Sequence, residues 1–223
     1  MRVRAKTCGA EGARASRSYG PASLDGLRLH FDARKARLVA FGVVLLGLVS
    51  GFAAEWLSST SAFDGPIART PVVVLSPCVA AILASLTLAG ADVDLDRSVA
   101  VLRPKERVIH ALVVSAMIIL SLALSGLTEP FLWGSLALIR NSIGLMGLVL
   151  LSASKLPAPL VWSPTLVYVL SVYTIAPSDG SAGSKWWAWP LQSGSLDASW
   201  MSAALLFAAG LMTYGLQGPA PRT

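Results

Sequence analysis

The chain has 223 residues, 54% of them hydrophobic and 13% charged, with a formal net charge of +6. A soluble domain usually carries about 25% charged residues, so long apolar runs here would find too little polar surface to cover them in water. Composition excludes a water-soluble fold and fits a single membrane domain.

The first 36 residues form a basic N-terminal tail. Up to Gly20 it is rich in Gly, Ser, Ala and Arg, a composition that predicts disorder. Leu24, Leu27, Leu29 and Phe31 then mix with Arg28, Arg34, Lys35 and Arg37. That segment reads equally as an interfacial amphipathic helix or a plain basic linker. Six apolar runs follow: Arg37–Trp56, Thr70–Ala91, Arg107–Leu127, Pro130–Ser154, Pro157–Pro177 and Ala198–Gln217. Each approaches the roughly 20 residues a helix needs to cross the hydrocarbon core. The first starts too late and runs too long for a cleaved signal peptide and reads as a signal anchor. The expected fold is all-α: a polytopic bundle of six transmembrane helices over residues 37–218, with a short tail at 219–223.

Charge orients the bundle. With both termini cytoplasmic, fifteen of the eighteen basic residues fall on the inner side, nine of them in the tail and first-span edge. Only Arg69 and Lys185 fall outside, while Arg140 lies within a run. This asymmetry follows the positive-inside rule. A basic tail beside a span marks the cytoplasmic side and can touch anionic membrane lipid, so no nucleic-acid partner is expected. Trp56, Trp133 and Trp200 near outer span ends agree.

Four constellations stand out. The second connection carries Asp92, Asp94, Asp96, Arg97, Arg103, Lys105, Glu106 and Arg107, followed by His110. Alternating acids resemble a calcium loop, but Arg97 and Arg103 occupy the positions where an EF-hand needs Gly and Glu. The remaining readings are a docking element for a soluble partner and a solvated loop that only fixes topology. Next, Arg140 and Asn141 interrupt the fourth run, after Glu129 at its start. A charge at mid-bilayer is costly. Three readings stay open: a pair with Glu129 or Glu55 in a polar cavity, a substrate path, or a broken run that lets Arg140 reach the interface. Gly144 and Gly147, with Gly47 and Gly51 in the first span, offer small faces for helix packing within or between subunits. Finally, Trp186, Trp187 and Trp189 read as an interfacial aromatic belt, with a stacking platform for a ligand as the rival. Pro71, Pro77 and Pro164 predict kinks.

Catalytic signatures are missing from the sequence: no GxxxxGK[ST], HExxH, GxSxG or CxxC. Cys8 and Cys78 lack metal-ligand spacing, and so do His30 and His110. No catalytic residue, metal or cofactor is expected, and the runs carry no mid-span acidic residue of the kind an ion-coupled carrier would show.

Three stretches carry a resemblance. They are Leu95-Asp96-Arg97-Ser98 with Arg103–Ala111, Glu129 with Arg140–Leu148, and Trp189-Pro190-Leu191 before the last span. Over about 70–218 the chain resembles compact six-span membrane subunits of ABC-2-like ABC transporters from high-GC Gram-positive bacteria. The resemblance implies a plasma-membrane permease, working as a homodimer or heterodimer of membrane subunits, with a separate ABC ATPase docked on the 92–107 loop. The rival function is a non-transporting accessory or regulatory subunit that anchors a partner complex.

Overall fold

A computed structural model of the chain describes residues 36–59, 69–88, 104–127, 134–176, 183–192 and 197–220. Six helices in it are long and apolar enough to cross a membrane, and among the described residues there is no strand. We number them α1 (Ala36–Ser59), α2 (Thr70–Leu88), α3 (Pro104–Ser125), α4 (Ser135–Lys155), α5 (Ser163–Ile175) and α6 (Asp197–Gln217). A 3-10 turn at Ala158–Leu160 leads into α5, and together they form the fifth apolar span. The chain is a multi-pass membrane protein. The N-terminal tail expected at 1–36 lies outside the described residues apart from its last one, Ala36.

The prolines act in two different ways. Pro71 and Pro164 sit second in their helices, where the missing N–H costs nothing because first-turn N–H groups have no helical acceptor. Pro77 sits inside α2 and leaves the carbonyl four residues earlier, that of Val73, without its helical donor.

Hydrogen bonds sort the helix ends into two sets. At one end Tyr214 Oη donates to Leu88 O (2.7 Å), His110 Nε2 meets Thr87 Oγ1 (3.3 Å) and Lys155 Nζ donates to Gln217 Oε1 (2.8 Å). The α2, α4 and α6 C-termini and the α3 N-terminus therefore lie together. Gly218 ends α6 at φ +71°, donating to Tyr214 O, and Ala220 N then reaches Ala153 O (2.9 Å). The left-handed φ favours glycine there, and the Arg107 guanidinium packs into the space a Cβ would take. At the other end Arg69 pairs with Glu55 at 3.3 Å, and Ser135 Oγ donates to Ala123 O (2.8 Å).

The fourth run, doubtful as a simple span in the sequence, is the centre of the bundle. Buried residues make up 72% of its apolar window and 61% of that of α2, against 22–33% for the other four. It packs on α2, α3, α5 and α6. Lipid tails are as apolar as leucine, so helix association rests on close packing rather than on water exclusion. Glycines provide it. A Cβ at Gly147 would stand 2.5 Å from the Leu206 carbonyl carbon, and one at Gly210 would collide with Gly147 O. The α4 and α6 backbones thus meet directly. Gly47 and Gly51 face Ser121 and Ser125 of α3 in the same chain, so this pair packs α1 onto α3.

These contacts rank the glycines. Gly147→Ala drives a methyl into backbone and should cost about 1–3 kcal/mol. Gly51→Ala meets only ordinary contacts at 3.5 Å and should stay within about 0.5 kcal/mol. Reversible unfolding in mixed micelles measures both.

Candidate functional site

The polar centre of the bundle lies in the second turn of α4. Arg140 is the sixth residue of that helix, about 8 Å from its start at 1.5 Å per residue. Starting at Ser135, the helix places Arg140 toward one end and not at mid-bilayer. Arg140 does not snorkel to the interface either: Arg140 and Asn141 are both fully buried.

Asn141 uses every polar atom it has. Its amide nitrogen donates to Val73 O (2.9 Å) and to Pro190 O (3.0 Å), and its Oδ1 accepts from Arg140 Nε (3.1 Å) and Nη2 (3.0 Å). Two donors and two acceptor lone pairs are the full capacity of a carboxamide. The Val73 bond has a specific cause, because that carbonyl is the one Pro77 leaves without a helical partner. Arg140 reaches further, with Nη2 donating to Gln192 O (2.6 Å) and Nη1 to Ser199 Oγ on α6 (3.0 Å).

The two carbonyls at 190 and 192 belong to a segment that enters the bundle between α5 and α6. It consists of a short helical turn at Ser184–Trp187 and a 3-10 turn at Trp189–Leu191. Trp189 is 3% exposed and its ring lies against Gly144, where any Cβ would collide with it. Gly144 is the tenth residue of α4, about 13 Å along a hydrocarbon core some 30 Å thick. Tyr168 on α5 holds the same segment from the other side. Its hydroxyl donates to Trp187 O (2.5 Å), and its ring centroid lies 5.9 Å from that of Trp189.

Non-helical backbone is tolerated at membrane depth only where protein or water satisfies it. Arg140 and Asn141 meet that requirement. Two adjacent helical residues point 100° apart and do not normally cooperate. Here the long Arg140 side chain folds back onto the short Asn141 one, and together they tie α2, α4, α6 and the entering segment.

Comparison with protein-family models, curated proteins and solved structures finds no match to the chain.

The sequence-predicted residues divide as follows. Arg140, Asn141, Gly144 and Trp189 are brought together. Trp186 and Trp187 are 50% and 40% exposed, in keeping with a membrane-interface position, while Trp189 is a packing residue and no part of a belt. Gly147 sits on α6 and Gly47 and Gly51 on α3. Glu55 is engaged by Arg69. Asp92, Asp94, Asp96, Arg97, Arg103 and Glu129 lie outside the described residues. Of the second connection, Lys105 is exposed, Glu106 half-buried, and Arg107 buried against Gly218. Among the described residues no group of three His, Cys, Asp or Glu side chains is placed to hold a metal. Sequence reading missed Gln192, Ser199 and Tyr168. It also missed the link between Pro77 and Asn141, although a proline inside a span always signals an orphaned carbonyl four residues back.

This link can be tested in a double-mutant cycle. Asn141→Ala strands two buried carbonyls and should cost roughly 2–4 kcal/mol. Pro77→Ala restores the α2 donor for Val73 O, so the same Asn141 change should cost roughly 1 kcal/mol less in that background. Unfolding in mixed micelles reads the coupling.

Proposed function

We propose that the chain is the membrane-spanning permease subunit of an ABC-type exporter in a bacterial plasma membrane. ATP is hydrolysed by a separate ABC ATPase, and two membrane subunits, alike or related, act together. The observation that carries this reading is the arrangement of the two bundle ends. One end gathers the exposed Lys105 and Lys155, with Arg37 near Thr87, and flanks both ends of the α2–α3 connection expected to dock the ATPase. The other end receives the buried segment that Arg140 and Asn141 hold. We assign the basic end to the cytoplasm by the positive-inside rule.

The geometry supports a route for coupling. A push on the 89–103 connection acts on the C-terminus of α2. That helix lacks one backbone hydrogen bond at Pro77, and the Val73 carbonyl left open there is bonded through Asn141 to Pro190 of the entering segment. Motion at the cytoplasmic end therefore has a hydrogen-bonded link to the element filling the opposite end.

Affinity purification of the tagged full chain from its native membranes tests the reading. The expected result is recovery of a nucleotide-binding ATPase. Recovery should fall about tenfold with Arg97→Glu and Arg103→Glu together, with expression and helicity unchanged. Recovery of no ATPase contradicts the proposal, and recovery of a respiratory or secretion complex in its place favours the accessory role.

A further inference from the structure

Among the described residues, grooves run along the outside of the bundle. The one between α1 and α3, about 510 Å³, has Glu55 at its end. A second, about 240 Å³, lies beside Arg37 and Thr87. A third, about 620 Å³, lies between α3 and α6 and opens at the basic end beside Lys105.

The walls of this third groove are apolar: Val108 and Ile109 from α3, and Ala208, Met212 and Gly215 from α6. Gly215 forms its floor, where a Cβ would stand 2.7 Å from Val108 Cγ2. From Leu216 at the mouth to Ala208 at the far end is eight residues of helix, or about 12 Å. Half of a hydrocarbon core of about 30 Å is about 15 Å. The groove therefore runs from the headgroup level to near the bilayer midplane, the depth of one leaflet.

Charge selects the occupant. Lys105 is exposed and lines the mouth, and Gln217, one residue past the wall residue Leu216, accepts a hydrogen bond from Lys155 of α4. Glu106, the adjoining carboxylate, is half-buried and not part of the groove wall. The α1–α3 groove ends at Glu55, already paired with Arg69, and its lining carries no basic side chain to receive an anionic headgroup.

We propose that the α3–α6 groove is a binding site for one anionic phospholipid, with an acyl chain along Val108 and Met212 and the phosphate at Lys105. The site is independent of the transport reading, since it needs only a bilayer around the bundle.

Native mass spectrometry of the purified full chain, titrated with phosphatidylglycerol or phosphatidylcholine, tests it. The expected result is one phosphatidylglycerol retained in preference to phosphatidylcholine. Lys105→Gln should reduce that preference about fivefold, and Lys105→Glu should reduce it further. Ala208→Phe, a change at an exposed position that fills the groove, should abolish retention of both lipids while leaving helicity unchanged. Equal retention of the two lipids by the unsubstituted chain overturns the proposal, and so does a preference that survives Lys105→Glu. Lipid retention unaffected by Ala208→Phe overturns the location. A lipid-free dimer that Ala208→Phe dissociates assigns the groove to a second copy of the chain and overturns the lipid site.

Discussion

Every carbonyl inside a bilayer must find a donor, and this bundle contains carbonyls that its own helices do not satisfy. Pro77 frees Val73 O in the first turn of α2. The segment around Trp189 and Pro190 brings non-helical backbone to the level of Asn141 and sets the Trp189 ring against Gly144. An unsatisfied polar group in hydrocarbon costs several kcal/mol. Asn141 spans the two breaks with one amide group, and Arg140 extends the same network to Gln192 and Ser199. The proline-containing α2, the placement of α4 and the seating of the 184–191 segment all depend on this pair.

The position of α4 follows. A helix that must bond α2, α6 and an entering segment at once cannot lie at the periphery. Its small residues let it be central: Ser135, Ser142, Gly144 and Gly147 bring α3, Trp189 and α6 close to its backbone. Packing and polar satisfaction therefore come from one stretch, 135–147. The opposite half of the bundle is joined differently, by bonds that tie helix ends to one another, such as Tyr214 to Leu88 and Lys155 to Gln217. One end is braced from within and the other along its rim, beside the connection on which the proposed partner acts.

Much of this was legible in the sequence. The apolar runs mark all six spanning helices because a span of about 20 residues is dictated by bilayer thickness, while the short turn at Ser184–Trp187 falls between two runs. Arg140 and Asn141 stand out because polar residues in a span need a reason. Their purpose was not legible, because it lies in carbonyls contributed by residues 49 to 68 positions away. Trp189 looks like its neighbours Trp186 and Trp187 by composition. Only the collision with a Cβ at Gly144 separates it from them. Gly47 and Gly51 announced close packing but not their partner, since a small face suits a helix of the same chain as well as a second copy. The fourth run looked interrupted because Arg140–Asn141 break its hydropathy. The same two residues are what make it the core.

The seating of the 184–191 segment is best measured by the accessibility of introduced thiols to an aqueous maleimide, in a background carrying Cys8→Ser and Cys78→Ala. Ala188 is fully buried and Trp186 is half exposed. The account predicts that Trp186→Cys labels rapidly and Ala188→Cys stays protected, and that adding Asn141→Ala exposes position 188. Equal, rapid labelling of both positions with Asn141 intact would contradict it.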